Sequence, residues 1–313
     1  MTERSLPPGK LPAALLRELL ASGPPPPPEL RLPPLIGEDA GVVQVPGGAL
    51  IAATDPITLT GKDVGAHSVV INANDVAVMG ARPRWFLAVI LLPAGTTENE
   101  VRALFKAMYA ALERVGVALV GGHTEVTPTV TQPLVVGQML GLREDGQYIR
   151  TGGVRAGDVV LQIGCAPIEG AAVLANEAAD RIREITPHVL AQARDALTTP
   201  GVSVVGSALH ATALGATALH DPTEGGLSAG LYELAEASGV LLRLDAEAVL
   251  WFEPAKAICA RLGADPWGVL ASGTLLAAFP TATAETALTA LRAEGYPAVV
   301  IARAERGDGV YRT

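Results

Sequence analysis

Two cysteines, Cys165 and Cys259, are all that the 313-residue chain contains. Neither a disulfide framework nor a cysteine-rich zinc site can be built from so few, and both thiols read as small buried hydrophobes. Aromatic residues are scarce, at 4%, which leaves the core to Ala, Val and Leu. Positive charge is in the minority. The net charge of −9 argues against a nucleic-acid partner, because phosphate backbones are bound by clustered Lys and Arg. It makes a divalent cation a natural partner wherever carboxylates converge. Long apolar runs are missing as well: the longest, Trp85 to Leu92, is far short of the ~18 residues that span a bilayer and reads as a buried strand. The first residues, with Glu3, Arg4 and several prolines, do not read as a signal peptide. The expectation is a cytoplasmic protein with no membrane partner.

What is present is a globular composition, 49% hydrophobic and 18% charged, in a chain long enough for two domains. Residues 1–34 hold a helix over 11–22 and then five prolines at 24–28, a stiff polyproline connector; Lys10, after Gly9, reads as a solvated lysine. Residues 35–145 follow as a first domain. Its hairpin pairs Ala40–Val45 with Ala49–Thr54 around Pro46-Gly47-Gly48, and a helix over 63–79 and the strand at 85–92 come next. Val101, Leu104, Phe105, Met108, Leu112 and Val115 then mark an amphipathic helix, before strands at 117–121 and 133–142. The stretch 144–157 reads as the connection to a second domain over 155–305. There we expect a strand at 158–163, helices at 169–184 and 187–198, and a third after Gly226 that buries Leu227, Leu231, Leu234, Ala235 and Ser238. The fold class is α+β (or α/β) in two domains.

Chemistry collects in four segments. With a three-residue hairpin loop, positions summing to 94 face each other, so Asp39 opposes Asp55. Opposed carboxylates repel, and a cation such as Mg²⁺ reverses the sign; a two-residue loop shifts the register by one, and the alternative is that both merely cap strand ends. Asp75 has Ile71, Asn72, Val78 and Met79 as helical neighbours, none of them positive. A buried carboxylate so placed needs a metal, a hydrogen-bond network or an exposed helix end, and Asn72 and Asn74 beside it mark a polar site. Gly121-Gly122-His123-Thr124 reads as a glycine turn at a strand end, through which backbone N–H groups approach a phosphate; His123 equally reads as a turn histidine. In Asp221-Pro222-Thr223-Glu224-Gly225-Gly226, Asp221 or Thr223 caps a helix and the following N–H groups form an anion site. Glu224 suits the helix dipole but repels phosphate, which keeps plain capping open.

Together these segments resemble the AIR-synthase superfamily, and within it the HypE-like proteins. The matching stretches are Gly37-Glu38-Asp39-Ala40, Thr54-Asp55, Gly121-Gly122-His123-Thr124, Asp221-Pro222-Thr223-Glu224-Gly225-Gly226-Leu227 and, most specific, Asn74-Asp75-Val76-Ala77-Val78-Met79-Gly80-Ala81-Arg82-Pro83. The resemblance implies an N-terminal domain whose strands form a barrel-like homodimer interface, with a C-terminal α+β domain beside it. It implies ATP in a cleft, with Mg²⁺ held by Asp39, Asp55 and Asp75. Asn72, Asn74, Gly121, Gly122, His123, Thr124, Gly225 and Gly226 are the implied cofactor-binding residues, and His123, Asp221 and Thr223 the candidates for catalysis. The shared chemistry is phosphoryl transfer from ATP to a small-molecule or protein acceptor, by positioning and charge neutralisation, in metallocentre maturation among other roles. Alternatives are a non-catalytic nucleotide-binding factor and a purine or thiamine-phosphate enzyme.

Three departures qualify it. Residues 306–313 lack the terminal cysteine that HypE modifies, Ala166-Pro167-Ile168-Glu169-Gly170 stands where HypE has Gly-Asp-His-Gly, and Glu224 replaces an arginine.

Overall fold

The structure, a computed structural model, describes residues 11–23, 25–58 and 63–312; Gly9 and Lys10 lie outside them. Six strands build a first sheet: β1 (Leu30–Leu32), β2 (Gly41–Val45), β3 (Gly48–Ile57), β4 (Pro83–Leu92), β5 (Ala118–Val126) and β6 (Leu134–Arg143), in the order β1-β2-β3-β6-β4-β5. Only β4 and β5 run parallel. Parallel neighbours need a crossover, and α3 (Glu98–Val115) supplies it. Thr97 and Glu100 start that helix with a reciprocal capping box, and Gly116 ends it in the left-handed region. These are strong start and stop signals. On the same face lies α2 (Val64–Val78), whose residues are buried all around the helix. It packs on the sheet, on α3 and on the second domain.

The second sheet comprises β7 (Asp158–Ile163), β8 (Ala218–His220), β9 (Leu241–Leu244), β10 (Leu275–Pro280), β11 (Ala298–Glu305) and β12 (Gly309–Arg312), ordered β12-β9-β11-β7-β10-β8. Helices α4 (Ile168–Glu177), α5 (Pro187–Asp195), α6 (Val205–Ala213), α7 (Gly226–Ser238), α8 (Glu253–Leu262) and α9 (Thr281–Ala293) surround it. One face packs on Leu227, Leu231 and Leu234 of α7. The other packs on α6 and α9, joined there by Ala77 and Val78 of α2. Helix α1 (Ala13–Ala21) buries none of its residues and meets the body through an ion pair between Arg17 and Glu236 at 2.7 Å.

The fold is the expected two-domain α+β architecture, with both sheets open and no closed barrel among the described residues. Several local readings need correction. The hairpin turns on Pro46-Gly47 alone, pairing Val45 with Gly48, because Gly47 takes a φ of 89° that lets a two-residue turn close. Positions summing to 93 therefore face each other, and Asp39 lies before β2 and not across from Asp55. Gly121–Thr124 is no turn, since β5 runs on to Val126. Opposite Phe86 and Leu87, β5 carries Val120 as an extra residue between Leu119 and Gly121, a bulge that re-aims the strand. The φ of 147° at Gly122 and the closeness of the Ala88 carbonyl leave no room for a Cβ there. β4 is buried on one face only, alternating along its length. Finally, the helices expected at 169–184 and 187–198 are shorter, and α6 was not foreseen.

Candidate functional site

The first carboxylates meet in a cavity of about 240 Å³ at the junction of the domains. Asp39 comes from the loop before β2, Asp55 from β3, Asp75 from α2 and Asp221 from the end of β8; Thr223 and Glu233 complete the wall. Asp39 and Asp55 thus share one cavity although they do not face each other in the hairpin register. His220 is the cation of the cluster. Its Nδ1 stands 2.9 Å from Asp39 Oδ2 and its Nε2 3.0 Å from Glu233 Oε2. Burial works against its charge, yet the two carboxylates raise its pKa well above the usual histidine range. The Thr151 hydroxyl donates to the same Asp39 oxygen at 3.0 Å, while Arg150 and the Thr151 amide hold Glu38. The connecting stretch therefore fixes the loop that carries Asp39.

Asp75 and Asp221 pay for this crowding. Burial, then repulsion from Asp221, Asp39 and Asp55, pushes the Asp75 carboxyl well above the carboxylate range, although the side chain keeps some surface on the cavity. Asp221 is only 2% exposed, and neither of its carboxylate oxygens has a hydrogen-bond partner among the described residues. Burial and Asp39 raise its pKa likewise; the His220 charge eases it, and the nearby Asn74 amide, committed to the Val202 carbonyl at 2.9 Å, eases it a little. An orphaned buried carboxylate costs on the order of 1–3 kcal/mol or more, which a cation would recover. No three described His, Cys, Asp or Glu side chains form a ready cage for a metal. An Mg²⁺ ion needs no such cage, since it takes one or two carboxylates and completes its octahedron with phosphate oxygens and water.

Other expected residues serve the scaffold. Asn72 donates to the carbonyls of Asp55 and Ser68 and accepts from the Asp55 amide at 2.9 Å. It clamps β3 onto α2 and fixes Asp55; a side chain at Gly137 would occupy its place. Asn74 accepts from the Val204 amide and donates to Val202, stitching α2 to the second domain. Both asparagines are fully buried and line neither this cavity nor its neighbour. Helix α7 is capped by Gly225 without any side chain, so neither Asp221 nor Thr223 caps it. Gly226 packs on the Trp267–Val269 backbone. In register, Asp55 leads through Gly137 and Ala88 to Gly122. Gly121, Gly122, His123 and Thr124 are therefore three strands away, roughly 14 Å, on an exposed edge where His123 pairs with Glu125 at 3.3 Å.

A second cavity, of about 200 Å³, shares Asp55 and Thr223 with the first and adds Glu169, Glu224 and Ser272. Glu169 opens α4 and is 7% exposed. His67 Nε2 lies 2.8 Å from its Oε1, and the Ser272 hydroxyl donates to its Oε2. Burial opposes ionisation of Glu169, but these two partners prevail and lower its pKa. Glu233, His67 and Ser272 are not singled out by the sequence, and His220 heads the Asp221–Gly226 segment without an assigned role. Only His220 carried a signal, lying directly before Asp221; Glu169 had been noted just as a departure.

Two α+β domains with a carboxylate-lined cleft between them define the class, the two-domain AIR-synthase-like fold. Residues 37–143 match the N-terminal domain described as AIR synthase related protein, and residues 155–313 match its C-terminal domain. The chain belongs to that family. Among its relatives, carbamoyl dehydratase HypE of Rhodobacter capsulatus is 32% identical over 274 residues, covering 83% of this chain and 76% of that protein. Thiamine-monophosphate kinase of Mycobacterium tuberculosis is 30% identical over 251 residues, covering 76% and 71%. HypE in a HypE–HypF complex superposes with a TM-score of 0.77 at 24% identity, over 96% of both chains. A HypE in complex with ATP gives 0.68 at 25% identity, over 89% of this chain and 86% of that one. No helix among the described residues is long and apolar enough to cross a membrane.

Proposed function

We propose that the cleft binds ATP with Mg²⁺ and transfers its terminal phosphoryl group to an acceptor held in the neighbouring cavity. The observation that carries this reading is Asp221, a buried carboxylate without a partner, facing Asp75, Asp55 and Asp39 from the other domain. Mg²⁺ would be held by one or two of Asp55, Asp75 and Asp221 together with phosphate oxygens, with Asp39 positioned by His220 and Thr151; the ion would supply charge neutralisation on the phosphates. His220, kept protonated by Asp39 and Glu233, offsets the same crowding from the protein side. Asn72 holds Asp55 in place through its backbone. The ATP complex of a HypE relative supports the nucleotide, and the two relatives named above, a dehydratase and a kinase, leave the acceptor open.

The expected role of Gly121–Thr124 rests on a homodimer. Within one chain they stand far from Asp55, but they form an exposed edge beside an open apolar sheet face, which includes Leu87, Val89, Val136 and Leu140. A contiguous half-exposed face of this kind marks an association surface.

Calorimetry of ATP with and without Mg²⁺ tests the site. Native protein is expected to bind in an Mg²⁺-dependent manner, and Asp221→Asn and Asp75→Asn to weaken binding at least tenfold. Absence of binding by the native protein would sink the proposal. Binding without steady ADP release would instead support a nucleotide-binding accessory factor.

A further inference from the structure

Glu38 and Asp39 open the first domain in sequence, yet their side chains are held from elsewhere. The Glu38 side chain is 2% exposed, and Arg150 Nε and Nη2 stand 2.9 and 2.8 Å from its Oε1. The Thr151 amide donates to its Oε2 at 3.1 Å. Asp39 is engaged through Oδ2, by the Thr151 hydroxyl at 3.0 Å and by His220 at 2.9 Å, which leaves Oδ1 as its oxygen without a partner among the described residues. A hydroxyl has a single proton to donate, and the Leu219 carbonyl, at 3.4 Å, is the more distant acceptor for the one on Thr151. None of these bonds goes to the first domain. Arg150 and Thr151 belong to the connecting stretch and His220 to the second domain. The backbone packs the same way. A Cβ at Gly37 would meet Ala237 and the Glu233 carbonyl of α7 at 3.3 Å, and one at Gly152 would meet the Ala237 carbonyl at 2.6 Å and Glu38 at 3.1 Å. Ser238, which ends α7, donates to the Thr151 carbonyl and accepts from the Val154 amide, both at 3.2 Å. The loop that carries Asp39 is therefore mechanically a part of the second domain. Asp55 and Asp75 ride instead on β3 and α2.

Glu38 looks out of place electrostatically. It adds a carboxylate to a cavity wall that already holds Asp39, Asp55, Asp75 and Asp221. A neutral side chain would fill the same space with less repulsion. What Glu38 adds is a grip at two points, one oxygen on Arg150 and the other on the Thr151 amide. The charge-assisted bond from Arg150 offsets the burial of that carboxylate. Arg150 and Thr151 do not line the cavity themselves. Resting on the Mg²⁺–ATP reading above, we infer that Arg150 and Thr151 are positioning residues of the metal site, acting on it through Glu38 and Asp39. Arg150 sets the place of the loop relative to the second domain. Thr151 sets which oxygen of Asp39 is spent, so that Oδ1 stays free for the ion or one of its waters. Partners one shell out from a metal orient the groups that face it, and losing one weakens metal affinity without removing any ligand. Arg150, with its side chain 42% exposed, is thus a handle on the cleft reached from the protein surface.

Two readouts on the full chain make the test, one without and one with the metal. In the metal-free protein, hydrogen exchange followed by mass spectrometry should speed up about tenfold in residues 35–41 of Arg150→Met, while β3 keeps its native protection. With a non-hydrolysable ATP analogue bound, Mn²⁺ replaces Mg²⁺ as a probe and its binding is followed by electron paramagnetic resonance. Thr151→Val, which keeps the shape and removes the hydroxyl, should weaken Mn²⁺ about tenfold, as should Arg150→Met. Thr151→Ser restores the hydroxyl and should bind Mn²⁺ as the native protein does. Should Thr151→Val fail to fold, Arg150→Met carries the test, since its side chain is partly exposed. Native Mn²⁺ affinity in Arg150→Met, even with a loosened loop, overturns the inference. So does a loss that Thr151→Ser shares with Thr151→Val, because the hydroxyl is then not what matters. A native protein that binds neither Mn²⁺ nor the analogue overturns the nucleotide reading instead. Faster exchange of the loop in Arg150→Met would still leave its attachment to the second domain standing, and unchanged exchange would overturn that as well.

Discussion

The two sheets have the same number of strands and opposite surroundings. In the second, β7 is buried at every position because α7 covers one face and α6 and α9 the other. In the first, α2 and α3 cover one face, and along β4 and β6 every second residue remains half-exposed although many of these residues are Leu or Val. A sheet with helices on both faces completes its own core. One that keeps an apolar face and a bare nine-residue edge strand, β5, calls for a partner surface, since exposed edges and apolar patches are association sites. The difference teaches that the second sheet completes its own core, whereas the first leaves an apolar face and an edge strand on which the proposed homodimer would form.

The largest expected effect sharpens the contrast directly. Leu161→Ala, in the doubly covered sheet, should cost ~2–5 kcal/mol in chemical denaturation and leave self-association unchanged. Leu140→Asp, on the open face of the first sheet, should shift the protein toward monomer in sedimentation while costing a dilute sample little stability; a monomeric native protein would refute the contrast. At the joint between the sheets, Asn74→Ala orphans the Val204 amide and the Val202 carbonyl and should cost about 1–3 kcal/mol.

The smallest effect is a pH dependence. Asp75, Asp221 and His220 all have folded pKa values raised above their unfolded ones. Each therefore contributes stability that is complete below its unfolded pKa, roughly 4 for the aspartates and 6.5 for the histidine, and that is lost as pH rises through its folded value. The melting temperature of the metal-free protein should fall as pH rises through that window. The increment from Mg²⁺ and ATP should grow with pH, because the ion binds ionised carboxylates. An increment independent of pH would remove Asp75 and Asp221 from the metal site.

Much of this was legible in the sequence, unevenly. The periodicity through Val101, Phe105 and Leu112 placed α3, and the run at 158–163 placed β7, because amphipathic and wholly apolar patterns are local. Asp75 declared itself through its lack of a cationic helical neighbour. Asn72 and Asn74 misled because a side-chain amide satisfied by a distant backbone looks in sequence like one awaiting a ligand. Gly121-Gly122 looked like a turn because glycine serves close backbone packing, here against Ala88, as well as it serves chain reversal. Glu233 and Ser272 reach the cleft only through tertiary packing and left no local mark.

Helix α2 carries Asp75 toward the cleft, grips β3 through Asn72 and grips the second domain through Asn74. One rod thus serves three attachments. A chain emerging in order makes α2 long before Asp221 exists, so the carboxylate cluster cannot assemble until β8 has been made and has paired with β10. Until then Asp75 has neither its neighbours nor its burial, and an isolated first domain should be blind to the nucleotide however well it folds. The site is in this sense a checkpoint on completeness, formed only by a chain whose two halves have both folded and docked.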